Sequence, residues 1–171
     1  MAKSQETASV ADILDRESKY VIADWLARVE HEPELKSIPL SYEERTGFLP
    51  LLLHDLIRRL RLDAGTKAPV SKAAAFHGDL RRQQCYPIAM IVDESRLLEI
   101  TIFSTLHKHV KNLEFSTLLL DVVTIADELD AQLKEQVLCF RNNPKVISIT
   151  SPRTTPKTSS PSPDHDRRNP K

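Results

Sequence analysis

His77, Arg81 and Gln84 recur at intervals of four and three residues in the run Ala75-Phe-His-Gly-Asp-Leu-Arg-Arg-Gln-Gln-Cys-Tyr86. On a helix that spacing places them within roughly 60° of one another, on one stripe. The stripe borders an apolar sector made by Ala73, Phe76 and Leu80, while Arg82 projects to the opposite side and reads as solvated. Gly78 in mid-helix costs roughly 1 kcal/mol relative to alanine, so it points to close approach by another helix or by a ligand. Glu94 lies at a similar edge of the next helix, between Ile91 and Leu98 on one side and Met90 and Leu97 on the other. A carboxylate buried there must be paired or hydrogen-bonded. The two helices are consecutive and separated by a tight break, so antiparallel packing brings Glu94 toward Arg81 or His77. Two readings stay open for His77, Arg81, Gln84, Tyr86 and Glu94. They form a polar latch that fixes helix register, or a ligand pocket with His77 as the member that titrates near neutral pH.

Other chemistry is missing from the sequence. Its three glycines, Gly47, Gly65 and Gly78, leave no phosphate-binding loop. There is no Gly-x-Ser-x-Gly elbow and no His-Glu-x-x-His helix. His107 and His109 are two residues apart, which turns their rings about 200° from each other on a helix and prevents a shared metal. Cys85 and Cys139 have neither zinc-ligand spacing nor the look of a disulfide framework. A non-catalytic protein with no metal and no cofactor is expected.

The elements that must position the cluster read as helices. No Asn-Gly or Asp-Gly hairpin signal occurs, and helical spacing of apolar residues runs almost throughout before residue 141. The first helix is predicted from Ser9 to about Glu32, with Val10, Ile13, Leu14, Val21, Trp25, Leu26 and Val29 inward and Pro33 as its stop. A second begins at Ser41, where Ser41 and Glu44 form a capping box, and ends before Gly65; Pro50 predicts a kink or a late start. The third runs from Ser71 to about Gln84. A break at Cys85 to Pro87 follows, with Pro87 at the first turn of the fourth, which carries Ile91, Ser95, Leu98, Ile102 and Leu106. The fifth runs from about Ser116 to Phe140 through Leu119, Val122, Val123, Ala126, Leu129, Leu133 and Val137. The fold class is therefore all-α, a bundle of about five amphipathic helices.

The expected organisation is a disordered N-terminus over 1–8, a helical domain over 9–140 and a disordered tail over 141–171. Six of the eleven prolines fall in that tail, whose only apolar content is Val146-Ile147-Ser148-Ile149. Formal net charge is zero, yet the tail carries seven basic residues against Asp164 and Asp166, so an acidic body precedes a basic extension. The balance argues for neither nucleic acid nor membrane. The longest apolar run, Phe48 to Leu53, is six residues, against roughly 20 needed to span a bilayer. A cytoplasmic location is expected.

The run from His77 to Tyr86, followed by Asp93-Glu-Ser-Arg-Leu-Leu98, resembles the RsbRD N-terminal-like sensor domain of bacterial stressosome co-antagonists, also found ahead of some histidine kinases and transcription regulators. The pattern there is approximately His-Gly-x-x-Arg-x-x-Gln-Gly-Tyr, then Glu-x-x-Leu-Leu or Glu-Tyr-Arg-Leu. The match is clearest over 71–105. Cys85 stands where that pattern has glycine, and a domain with no output module after residue 140 is expected. The resemblance implies a stand-alone sensory or regulatory domain in signal transduction, with a kinase, phosphatase or stressosome-type component as partner. A homodimer is also expected, because five helices offer more apolar face than one core covers. The alternatives are a histidine phosphotransfer protein using His77, a haem or other cofactor sensor, and a structural or assembly protein.

Overall fold

Local signals at Ser9, Ser41 and Ser71 set where the chain turns helical. Each side-chain oxygen accepts the backbone N–H three residues on, from Asp12, Glu44 and Ala74 respectively, satisfying a donor that a helix start leaves unpaired. A computed structural model describes residues 7–63, 66 and 69–142. Among these lie seven α-helices and no strand: α1 Val10–Val29, α2 Pro33–Lys36, α3 Tyr42–Thr46, α4 Leu49–Leu60, α5 Lys72–Gln83, α6 Ile88–Lys108 and α7 Phe115–Asn142. A short 3-10 turn, Val110–Asn112, joins the last two. No helix among the described residues is long and apolar enough to cross a membrane.

The all-α expectation holds, with two more helices than expected, both short. Pro33 does more than end α1: it opens α2 at its first position, where its missing N–H is not needed. The capping box at Ser41 and Glu44 is present, but the helix it starts ends at Gly47, whose φ of 44° lies in the left-handed region. Helix α4 then begins at Leu49 with Pro50 in its first turn, so the proline marks a late start. Pro87 caps α6 from just outside it. At the N-terminus, Ala8 lies in the extended part expected to be disordered, yet it donates to Asn112 O at 2.8 Å and its carbonyl accepts from Glu114 N. The expected tail lies outside the described residues beyond Asn142.

Apolar side chains from α1, α4, α6 and α7 fill the core, among them Ile13, Leu14, Trp25, Leu53, Leu56 and Ile91. The predicted inner face of α1 is the observed one, with Leu26 half-buried at its edge. Helix α5 packs most closely on α7 rather than on its neighbour α6. That contact depends on Gly78. A Cβ there would sit 2.3 Å from Gln136 O and 2.7 Å from Gln136 Cα, so backbone meets backbone. The contact fixes which side of α7 faces inward, and the inner face matches the predicted one at Leu129 and Leu133 but not in the first half of the helix. Ile125, Glu128, Leu129, Gln132 and Gln136 are buried, whereas Leu119 is 78% exposed and Val123 and Ala126 also face outward. Phe76, expected in the buried sector of α5, is 59% exposed and stacks on Phe48.

Candidate functional site

The structure brings His77, Arg81, Gln84, Tyr86 and Glu94 together around one guanidinium. Arg81 is 0% exposed. Its Nε donates to Glu94 Oε2 at 2.8 Å, and its Nη1 donates to Gln84 Oε1 at 2.7 Å and to Glu44 O at 3.0 Å. Nη2 donates to Arg45 O. The last two acceptors belong to the final turn of α3, whose carbonyls have no partner within the helix. Arg81 thus closes the C-terminal end of α3, where a cation also suits the helix dipole. The Tyr86 ring lies under the guanidinium, 4.8 Å from its carbon to the ring centroid.

The end of α5 puts Tyr86 there. Tyr86 N donates back to Arg81 O at 3.0 Å, and Cys85 N to Arg82 O, with Cys85 at φ 63°. This is a Schellman closure, in which the residue past the cap turns left-handed. Glycine takes that conformation most easily, so the departure from the resembled pattern falls at a position where the backbone favours glycine. The turn is made nonetheless, and Tyr86 is buried.

On the other side of Glu94 lies His77, with Nε2 3.5 Å from Glu94 Oε2 and only 3% of the residue exposed. Burial, more than anything else, pushes the His77 ring below its ordinary pKa near 6.5; the Arg81 charge adds to this and Glu94 opposes it. Burial alone would push the Glu94 carboxyl up, but the His77 ring and the Arg81 charge outweigh it and hold the group below its ordinary range. Tyr86 is pushed up to about 12, first by burial and then by the Glu94 charge. At neutral pH the centre therefore holds Glu94 as an anion and His77 neutral.

Several members were not legible in the sequence. Arg45, only 2% exposed, donates to Tyr86 Oη at 2.9 Å, to Leu35 O at 3.0 Å and to Ile38 O at 2.6 Å. A charged residue in the last turn of a short helix gives no sign of such burial. Trp25, predicted as core, is core, and its indole Nε1 also donates to Glu94 O at 3.1 Å. Gln132 and Gln136 enter from the polar inner side of α7. Arg82 was expected to be solvated; its side chain is mostly buried and pairs with Asp79 at 2.6 Å.

Space decides what this arrangement can hold. The cavity beside His77 and Glu94 has a volume of about 20 Å³, whereas small-molecule sites have roughly 300 Å³ or more. The space beside the cluster is far smaller than such a site. A different surface lies on the outer side of α7, where Phe115, Leu119, Leu120 and Val123 are exposed. Beside it, a hollow of about 270 Å³ runs between α7 and the end of α4, lined by Arg59, Leu60, Leu62, Leu120, Val123 and Asp127 among others. Comparison with protein-family models, with curated proteins and with solved structures finds no match to this chain.

Proposed function

We propose that this chain is a non-catalytic regulatory domain that acts through protein contacts made by the outer side of α7. The observation that carries the reading is the position of that one helix. Its inner face abuts α5 at Gly78 and presents Gln132 and Gln136 next to the Glu94 latch, while its outer face exposes Phe115, Leu119, Leu120 and Val123. Such an apolar strip is more than scattered surface residues need. A change in the latch would therefore move the element that carries the contact surface.

The resemblance of residues 71–105 to the RsbRD N-terminal-like sensor domain supplies the kind of partner, a kinase, phosphatase or stressosome-type component of bacterial signalling. A cytoplasmic setting goes with that reading. The burial of His77 and its contact with Glu94 weigh against phosphotransfer, because an acceptor nitrogen must be reached by the donor. A homodimer is the simplest use of the strip.

The test is a double change on the strip, Leu119→Asp with Val123→Asp. Both side chains are exposed, so helical circular dichroism and the melting temperature are expected to stay near wild type. Light scattering reads self-association, and affinity capture from the native cell reads partners. Loss of either association in the double variant supports the reading. A wild-type protein that is strictly monomeric and captures the same proteins as the variant overturns it.

A further inference from the structure

The small cavity beside the latch is lined by groups that lack partners. Glu94 Oε1 and Gln132 Oε1 are both fully buried and neither has a hydrogen-bond partner, although unpaired buried acceptors of this kind are uncommon and costly. Both residues line the same cavity, along with Trp25, His77, Ser95 and Gln136. The other half of each group is fully used. Glu94 Oε2 takes Arg81 and His77. Gln132 Nε2 donates to Leu52 O at 3.1 Å and to Glu128 Oε1 at 2.9 Å. Since both of those partners accept, the amide nitrogen faces them and the oxygen is left over.

We infer that this cavity is a binding site for one water molecule, which donates to Glu94 Oε1 and Gln132 Oε1 and so ties the latch to α7. The size fits: about 20 Å³ is available, and a single water needs roughly 10–15 Å³. The polarity fits as well. His77 Nδ1 is a third buried atom without a partner, but it lies toward Gly47; the two orphaned oxygens call for a guest with two donors, and Ser95 and Gln136 carry donors that the guest oxygen can accept. Charge selects among small guests. At the latch itself the Arg81 and Glu94 charges cancel, and the Glu128 carboxylate beyond Gln132 is turned to the amide nitrogen, so an ammonium or alkali ion would add a charge beside Glu94 that has no partner there. Water brings none. Larger guests do not fit in about 20 Å³. The site stands whether or not the outer side of α7 meets a partner.

Magnetic relaxation dispersion of oxygen-17 water, measured on the full chain, counts water molecules held longer than the protein tumbles. The expected result is a wild-type signal that falls by one water in Gln132→Met, which keeps the length of the side chain and removes its acceptor. Ser95→Leu, which pushes carbon into the cavity from half-buried Ser95, is expected to remove the same one water, and it carries the test if Gln132→Met does not fold. A signal unchanged in the folded variants, or no long-lived water in the wild type, overturns the inference. Replacing sodium chloride by ammonium chloride at equal ionic strength is expected to leave the melting temperature unchanged. A selective rise of several degrees in ammonium would make the guest a cation and would equally overturn it.

Discussion

The side of the molecule built from α1, α4 and α6 and the side built from α5 and α7 are held together by different means. On the first, aliphatic side chains and Trp25 interdigitate, with Ile13, Leu14, Leu56, Ile91 and Ile102 inaccessible to water. Stability there follows buried apolar area and tolerates a change of shape better than a change of polarity. On the second, α5 offers Ala73, Ala74 and Gly78, α7 offers Glu128, Gln132 and Gln136, and charged groups lie at the joint. The energetics of that side rest on pairing. A group left without its partner costs more than the same group contributes when paired. The lesson is that two interfaces of one bundle respond to opposite kinds of damage.

The sharpest way to break the comparison is Glu94→Ala. It leaves the inaccessible Arg81 guanidinium without its carboxylate, and removing one partner of a buried pair costs about 3–5 kcal/mol. Glu94→Gln keeps the shape and one acceptor and is expected to be milder. In a double-mutant cycle, Arg81→Ala and Glu94→Ala should be strongly non-additive; additivity within about 0.5 kcal/mol would mean that the two do not act as a pair. Thermal or urea melts supply the measurement. Second in size is Gly78→Ala. In an open helix this change stabilises by roughly 1 kcal/mol, but here the added carbon meets the Gln136 backbone, and overpacking of this kind costs about 1–3 kcal/mol. A stabilised Gly78→Ala variant would dissolve the close contact between α5 and α7.

A smaller effect comes from pH. His77 has a lower pKa folded than unfolded, so on acidification the unfolded chain takes up its proton first, from about pH 6.5 downward. Stability contributed by neutral His77 is present above that pH and is lost below it. Glu94, also lowered in the fold, loses its contribution further down, below about pH 4.5. In denaturant melts across this range, His77→Gln is expected to flatten the first stage of the decline, and an unchanged slope would remove His77 from the account. The smallest effect has the opposite sign. Cys85 holds φ 63°, a conformation that costs an ordinary residue about 1–2 kcal/mol, so Cys85→Gly should raise stability by about 0.5–1 kcal/mol after the greater chain entropy of glycine is offset.

The same division explains what could be read from the sequence. Helical periodicity picked out the inner face of α1 and most of α6 because apolar burial leaves a repeating mark. The cluster was legible through exceptions to that mark: a glycine in mid-helix, a glutamate at an apolar edge, and His77, Arg81 and Gln84 on one stripe. The inner face of α7 was legible only in part. Leu129 and Leu133 do face the core, but the other buried residues include Glu128, Gln132 and Gln136 and the apolar stretch around Leu119 faces out, so hydrophobicity misplaced the first half of the helix. Arg45 escaped for a related reason, since its three hydrogen-bond acceptors, Leu35 O, Ile38 O and Tyr86 Oη, come from segments that only the folded chain brings near. Phe76 erred the other way, an aromatic ring that stays outside against Phe48.

The hydrogen bonds from Arg81 to the carbonyls of Glu44 and Arg45 bear on how the chain folds. Helix α3 is five residues long, far below the roughly 12–15 at which a helix begins to hold in water. It depends on a side chain 36 residues further on. That side chain in turn has no complete set of partners until α6 has delivered Glu94. None of the three pieces is satisfied without the other two, so intermediates containing only one or two of them leave a guanidinium or a carboxylate stranded. Helices α3 and α5 and the first half of α6 should therefore open and close as one cooperative unit in native-state hydrogen exchange, with the amides of α3 protected nearly as long as those of the longer helices that hold it.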